Sequence, residues 1–328
     1  MKKKIPSILL VGVGRWGKNH LRVLLKLQAE GLCRLIGVQA RNSQRLESIA
    51  KEFGVRTFSD DQGWEEAGAI DITVPTHDHF ILAKKALLAG KDVLIEKPMT
   101  ASLTEAEELE RIHANSSQIL MAGHIFCYNP ALDYVKKIIV SGKIGKIRFL
   151  RGRFMGFRDK DIDVGILATT AMHFIYLSNS LMGKPPKAVW AKVDYLLDPV
   201  LDDYCLVRLD YGPEFSLIEA DFFTPGKFRT FDILGTHGSI IFDVINQKVE
   251  LRDEKHVPFG DHFKTHAGSV SNPDIEYQEP LYLELRHFLE CIQERKEPLT
   301  GIKDGVAILR IIEAAYESSR LDKTILLS

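Results

Sequence analysis

The sequence predicts an α/β protein: a doubly wound parallel sheet over residues 1–123, followed over residues 124–328 by an α+β domain built on an open, mostly antiparallel sheet. Three observations predict it. Short apolar strands alternate with amphipathic helices through roughly the first 125 residues. A glycine-rich turn joins the first strand to the first helix. After about His124 the pattern changes to strand-length segments in which apolar and polar residues alternate.

The first strand is Ile8–Val11, and the helical stretch that follows runs from Lys18 to Glu30. Further strands read at 35–40, 69–75 and 92–98, with helices between them at Ser43–Glu52, His79–Ala89 and Ser102–Ala114. A short apolar strand followed by an amphipathic helix, repeated, means parallel strands joined by right-handed crossovers. Beyond a hinge near residues 122–126, a helix at Ala131–Val140 leads to a strand at 146–157 and a helical region over Leu167–Met182. Strands then read at 187–197, 203–211, 214–223, 229–235 and 239–244, as an antiparallel meander with helices on one face. Helices at Leu281–Arg295 and Gly305–Ser319 complete the reading.

Gly12, Gly14 and Gly17 have the G-x-G-x-x-G spacing, with Arg15 and Trp16 inside the turn. Each glycine serves a separate need: the tight turn, a close backbone approach to a pyrophosphate, and packing of helix on strand. Phosphates would rest on the amides and positive dipole end of the new helix. The same residues nearly match a P-loop, but Asn19 stands where a Ser or Thr hydroxyl must hold Mg²⁺, so a nucleotide triphosphatase is set aside.

A net charge of −1 over 328 residues argues against nucleic-acid and membrane-surface roles. The cluster Lys2–Lys4 is too short for a basic arm, and no cleavage site follows the brief apolar run after it. No apolar run reaches spanning length, so a cytoplasmic protein is expected. Cys33, Cys127, Cys205 and Cys291 lie far apart and read as reduced, mostly buried thiols. His77-x-His79 and His262-x-x-x-His266 have ligand-like spacing without a partner set, so no metal is expected.

Ligands of doubly wound sheets bind beyond the carboxyl ends of the strands. That places the glycine turn, the segment with Pro75, Thr76 and His79, and Glu96-Lys97-Pro98 along one edge. Lys97 ends a buried strand, and Pro98 restrains its backbone. A cation there would face the reactive end of a bound dinucleotide.

These stretches resemble the glucose–fructose oxidoreductase / inositol dehydrogenase / rhizopine catabolism (Gfo/Idh/MocA) superfamily. The resemblance rests on GVGRWG at the first turn, VPTHDH at 74–79, VLIEKP at 93–98, GHIFCYNP at 123–130, SGKIGKI at 141–147 and the segment 305–320. It implies an N-terminal Rossmann doubly wound parallel sheet and a C-terminal open-sheet domain that serves substrate binding and oligomerisation. The substrate would be a sugar or cyclitol held between the two. The implied catalytic set is the lysine of Glu-Lys-Pro plus an Asp and a His four apart on a helix, a spacing that puts both on one face. Here His173 takes the histidine position, but Thr169 replaces the Asp and Tyr176 a second Asp. Thr carries no charge. A phenol at Tyr176 can serve as a proton donor or equally be a core tyrosine with a satisfied hydroxyl.

In NAD-binding sites of this kind an acidic residue at the end of the second strand bonds the ribose hydroxyls. Ala40 stands at that position, with Arg41 next. A guanidinium grips a 2′-phosphate that a carboxylate would repel. The expected cofactor is therefore NADP, with NAD the alternative. The leading expectation is an NADP-preferring oxidoreductase moving hydride to or from a hydroxyl or keto carbon of a sugar, cyclitol or sugar-nucleotide derivative. The other is a catalytically impaired member that binds cofactor and a sugar as a sensor. Phe215, Leu217, Ile218 and Phe222 need cover on the second sheet, which suggests a homodimer or homotetramer.

Overall fold

A computed structural model describes residues Ile5–Leu327; the Lys2–Lys4 cluster lies outside the described residues. The first half runs β1 (Ser7–Val11), α1 (Arg15–Ala29), β2 (Arg34–Gln39), α2 (Ser43–Phe53), β3 (Thr57–Phe58), α3 (Gln62–Glu66), β4 (Ala69–Ile72), α4 (His79–Leu88), β5 (Asp92–Glu96), α5 (Leu103–His113) and β6 (Leu120–Gly123). All six strands pair in parallel in the order β3-β2-β1-β4-β5-β6, the doubly wound arrangement expected. β4, β5 and β6 are buried at every residue, so none of them shows the in–out alternation of a half-exposed strand. Local chemistry sets the helix starts: the Asn42 side chain accepts from the Arg45 amide, and Ser102 Oγ accepts from Glu105. α2 stops at Gly54, in left-handed conformation (φ 66°). The short β3 and α3 and the strand β6 were not legible as separate elements.

The second half runs α6 (Pro130–Val140), β7 (Ile147–Gly156), α7 (Met172–Met182), β8 (Ala188–Asp194), β9 (Tyr204–Asp210), β10 (Phe215–Asp221), β11 (Lys227–Gly235), β12 (Ser239–Asp243), β13 (Lys248–Arg252), β14 (Lys255–Phe259), β15 (His262–His266), β16 (Val270–Ser271), α8 (Pro280–Glu294), α9 (Ile302–Leu321) and β17 (Ile325–Leu326). Nine of these strands form one mixed sheet, ordered β16-β13-β12-β11-β7-β10-β9-β8-β17. It is not a plain meander. β8–β9–β10 and β11–β12–β13 are each antiparallel runs, but β7 inserts between them, antiparallel to β11 and parallel to β10. A parallel pair needs a long crossover, and the helical segment after β7 supplies it. The region 253–273 contains the hairpin β14–β15, exposed at every residue.

Contacts divide the chain into two compact units. One holds the residues through Ile125 together with Glu279–Leu309; the other holds Phe126–Gln278 and the residues from Arg310 on. α8 and the first part of α9 fall in the first unit, where α8 packs against α1. The Arg295 guanidinium sits bidentate on Asp92, at 2.9 and 3.0 Å, and Tyr282 donates to Glu30 at 2.7 Å. Amphipathic periodicity shows that such a helix has a buried face; it does not show which sheet covers it. All four cysteines are free and buried, and no helix among the described residues is long and apolar enough to cross a membrane.

Candidate active site

The glycine turn begins where β1 ends, beside β4, at the point where strand order reverses. Gly12 has φ 103°, and a Cβ there would meet the Thr73–Val74 backbone at 2.7–2.8 Å, so only glycine fits. A Cβ on Gly17 would lie 2.4 Å from Gly12 O and 2.7 Å from Thr73 Oγ1: this glycine lets α1 approach the turn. Gly14 differs, since a Cβ there would meet nothing within 4 Å. As the N-cap of α1 it has no side chain to bond the first-turn amides, and Arg15 and Trp16 beside it are exposed. Two close-packed glycines below and one open glycine above make a cradle that fits a dinucleotide pyrophosphate.

At the end of β2, Gln39 turns inward to α3: its Oε1 accepts the Trp64 indole N–H at 2.6 Å. Ala40 follows, and Arg41 is exposed, with its guanidinium 2.7 Å from Asp78 Oδ1. Asp78 closes the single 3₁₀ turn Thr76–Asp78. Pro75 in this segment is exposed and Thr76 buried. His79 is 1 % exposed, its ring nitrogens 2.8 Å from Pro98 O and 2.9 Å from Val74 O. Through these two contacts the His79 ring braces this turn against the strand-end segment.

Lys97 follows β5 directly and is half-buried; its peptide with Pro98 is cis. Glu96 is buried, and its carboxylate lies in a charged cluster. Its Oε2 accepts the Lys97 main-chain N–H at 3.0 Å, and its Oε1 accepts the Trp16 indole N–H at 2.5 Å and lies 3.0 Å from His20 Nε2. His20 Nδ1 is 2.8 Å from Asp71 Oδ2. Burial alone would lower the His20 pKa, but Asp71 and Glu96 outweigh it and raise it to about 10. Burial likewise pushes the Glu96 carboxyl up, yet His20, Lys97 and Trp16 bring it below its ordinary value. His124, just past β6, goes the opposite way from His20: burial lowers it to about 4, against the pull of Glu96 and with the push of Lys97. Glu284 on α8 is fully buried and held well above the carboxylate range by burial and by facing Glu96 and Asp71.

His20, Asp71, His124 and Glu284 were missed as site residues. The signal was present: each is an ionisable residue at a position where the apolar period demands a core side chain, as in Gly17-His20-Leu21-Leu24 and Leu281-Glu284-Leu285-Phe288.

Thr169, His173 and Tyr176 lie in the second unit, each buried. The helical region expected over 167–182 begins with a π-helical turn, Leu167–Ala171, before α7. Such widened turns insert a residue into the helical ladder, and the Thr169 hydroxyl bonds back to Gly165 O at 3.0 Å within it. Asp202, also missed, anchors the start of this segment by accepting the Leu167 N–H at 2.9 Å and the Tyr316 hydroxyl at 2.7 Å. Burial raises the Asp202 pKa against those bonds. The His173 ring packs on Phe126, 4.7 Å between centroids, and Phe126 adjoins Phe154, whose face carries the Arg229 guanidinium at 3.9 Å.

Residues 7–124 match the GFO_IDH_MocA oxidoreductase family, NAD-binding Rossmann fold, and residues 136–327 match its C-terminal alpha/beta domain. The chain is 27 % identical over 329 residues to scyllo-inositol 2-dehydrogenase (NAD(+)) of Bacillus subtilis (strain 168), covering 95 % of this chain and 93 % of that protein. It is 30 % identical over 184 residues to UDP-N-acetylglucosamine 3-dehydrogenase of Acidithiobacillus ferrooxidans, covering 56 % of each. Its fold is similar to that of levoglucosan dehydrogenase in complex with NADH and L-sorbose, with TM-score 0.85 and 22 % identity, over 98 % of this chain and 99 % of that one.

Proposed function

The chain belongs to the Gfo/Idh/MocA oxidoreductase family, and from that premise we propose that it is an NADP-preferring dehydrogenase acting on a hydroxyl or keto carbon of a sugar, cyclitol or sugar-nucleotide derivative. The observation that carries the reading is the pairing of an open pyrophosphate cradle at Gly12, Gly14 and Gly17 with a half-buried lysine at the end of β5. Curated relatives named as dehydrogenases of inositol and of a sugar nucleotide support the substrate class. A bound nicotinamide supplies or accepts the hydride.

The remaining work falls to side chains. Lys97 polarises the reacting oxygen, and His173 takes or returns its proton. Tyr176 is a second proton donor near His173, and Thr169 holds its place by hydrogen bonding without charge. The preference for NADP rests on Arg41, whose guanidinium suits a 2′-phosphate, and on Ala40 in place of an acid. The test is NADPH turnover with a panel of sugars and cyclitols, in wild type and Lys97→Ala; activity equal in the two would sink the reading.

The second unit supplies the subunit contact in this proposal. Ile218 and Phe222 are covered within the unit, whereas Phe215 and Leu217 lie half-buried on the open face. There Phe215 stacks on Phe149 at 5.3 Å, flanked by Arg151 and Arg208. A homodimer or homotetramer would cover this face, and a monomer in solution scattering at micromolar concentration would contradict it.

A further inference from the structure

Directly behind Lys97 the first unit buries His20, Asp71, Glu96 and Glu284, drawn from α1, β4, β5 and α8. Apolar residues of similar volume would give such a core at no loss of stability, because burying ionisable groups costs desolvation that their mutual attraction barely offsets. The cluster reaches solvent at two places, through the indole of Trp16 in the first turn of α1 and through Lys97.

Resting on the reading of Lys97 given above, we propose that His20 is a positioning residue for that lysine. Pinned between Asp71 and Glu96, it holds the Glu96 carboxylate at once on the Lys97 main-chain N–H and on the Trp16 indole. The cofactor turn and the strand-end lysine are thereby tied to one fixed carboxylate. The imidazole keeps its proton to about pH 10, so it supplies a standing positive charge that keeps Glu96 ionised although fully buried. The other groups facing the pair do not replace that charge. Glu284, pushed well above the ordinary carboxylate value by burial, is no cation in any form, and His124, depressed to about 4, is neutral above that pH. Lys97 is the other cation acting on Glu96. Without His20, the buried Glu96 carboxyl takes up a proton at a higher pH, and its hold on the Trp16 indole and on the Lys97 main chain changes with it.

The experiment follows Glu96 through Trp16, using 5-fluorotryptophan-labelled full-length protein and fluorine NMR. The chain has three tryptophans, and Trp16→Phe identifies the resonance. Two variants probe opposite limbs. His20→Gln removes the cation, which raises the Glu96 pKa by about 1–3 units; a new step then appears on the acid side of both the Trp16 resonance and kcat. Sugar KM changes less than about twofold, because substrate contacts are untouched. Asp71→Asn leaves the ring in place but weakens its hold on the proton. A step then enters from the alkaline side, at a midpoint below the wild-type value. Either variant suffices if the other does not fold. A Trp16 resonance without a new step in a folded variant overturns the proposal. Absence of turnover in the wild type overturns the reading of Lys97 instead, and the resonance, which needs no turnover, still decides whether His20 holds Glu96.

Discussion

The Arg41 guanidinium lies 2.7 Å from the Asp78 carboxylate, so the residue expected to grip a 2′-phosphate is already held by an acid on the neighbouring turn. Arg41 remains exposed and Asp78 is largely covered, and the guanidinium retains donors beyond the one in this pair. A surface pair of this kind contributes at most about 1 kcal/mol.

The proposed preference for NADP therefore depends on both residues. Arg41→Ala weakens NADPH by roughly ten- to a hundredfold, the equivalent of about 1.5–3 kcal/mol for a charged hydrogen bond, and leaves NADH nearly unchanged. Asp78→Asn strengthens NADPH by removing a like charge from the 2′-phosphate. Calorimetric titration of both cofactors reads these outcomes; tighter NADH than NADPH in the wild type would refute the preference.

The glycines of the turn separate folding from binding. Gly17→Ala forces a Cβ onto Gly12 O and Thr73 Oγ1 and destabilises by about 1–3 kcal/mol, seen as a lower Tm. Gly14→Ala meets no protein atom within 4 Å. It leaves Tm unchanged but lowers cofactor affinity, since the added methyl occupies the pyrophosphate approach. Equal affinity in Gly14→Ala and wild type would mean the phosphates lie elsewhere.

Lys97→Ala costs roughly 10²–10³-fold in kcat, the usual scale for removing one electrostatic or proton-transfer group. Cofactor affinity should change little. Tyr176→Phe distinguishes a proton donor from a core tyrosine: a donor loses kcat at unchanged KM, a core residue loses only a little stability. Saturable cofactor binding without turnover of any sugar would favour the sensor reading.

Stability should peak near pH 6.5, because two buried histidines titrate in opposite directions. His124, depressed to about 4, stays neutral in the folded chain while the unfolded chain takes up a proton below 6.5. Its contribution is complete above 6.5 and is lost as pH falls toward 4, on the order of 3 kcal/mol. His20, raised to about 10, contributes fully below 6.5 and loses that contribution as pH rises toward 10. Thermal melts across pH 4–10 test this, and His124→Asn should flatten the acid side alone.

Much of the fold was legible because its signals are local. β1 and the three glycines lie within one short stretch, β2 and β5 each carry an apolar run, and β4 carries one broken only by Asp71. The short β3 and β17 were not legible, since two residues show no period. The pairing of β7 with β10 was hidden for another reason: pairing partners are chosen by the sheet as a whole.

The sequence by itself determined the strand–turn–helix cradle and the doubly wound parallel sheet, because both follow from residue type and spacing. Only the tertiary structure decided how the charges are used. It set His20 between Glu96 and Asp71, placed Asp78 against Arg41, made a brace of His79, and put α8 in the unit of the parallel sheet. The physical reason is desolvation: a buried ionisable group must find its partner across elements distant in sequence, and no local pattern records which partner the packing brings within reach.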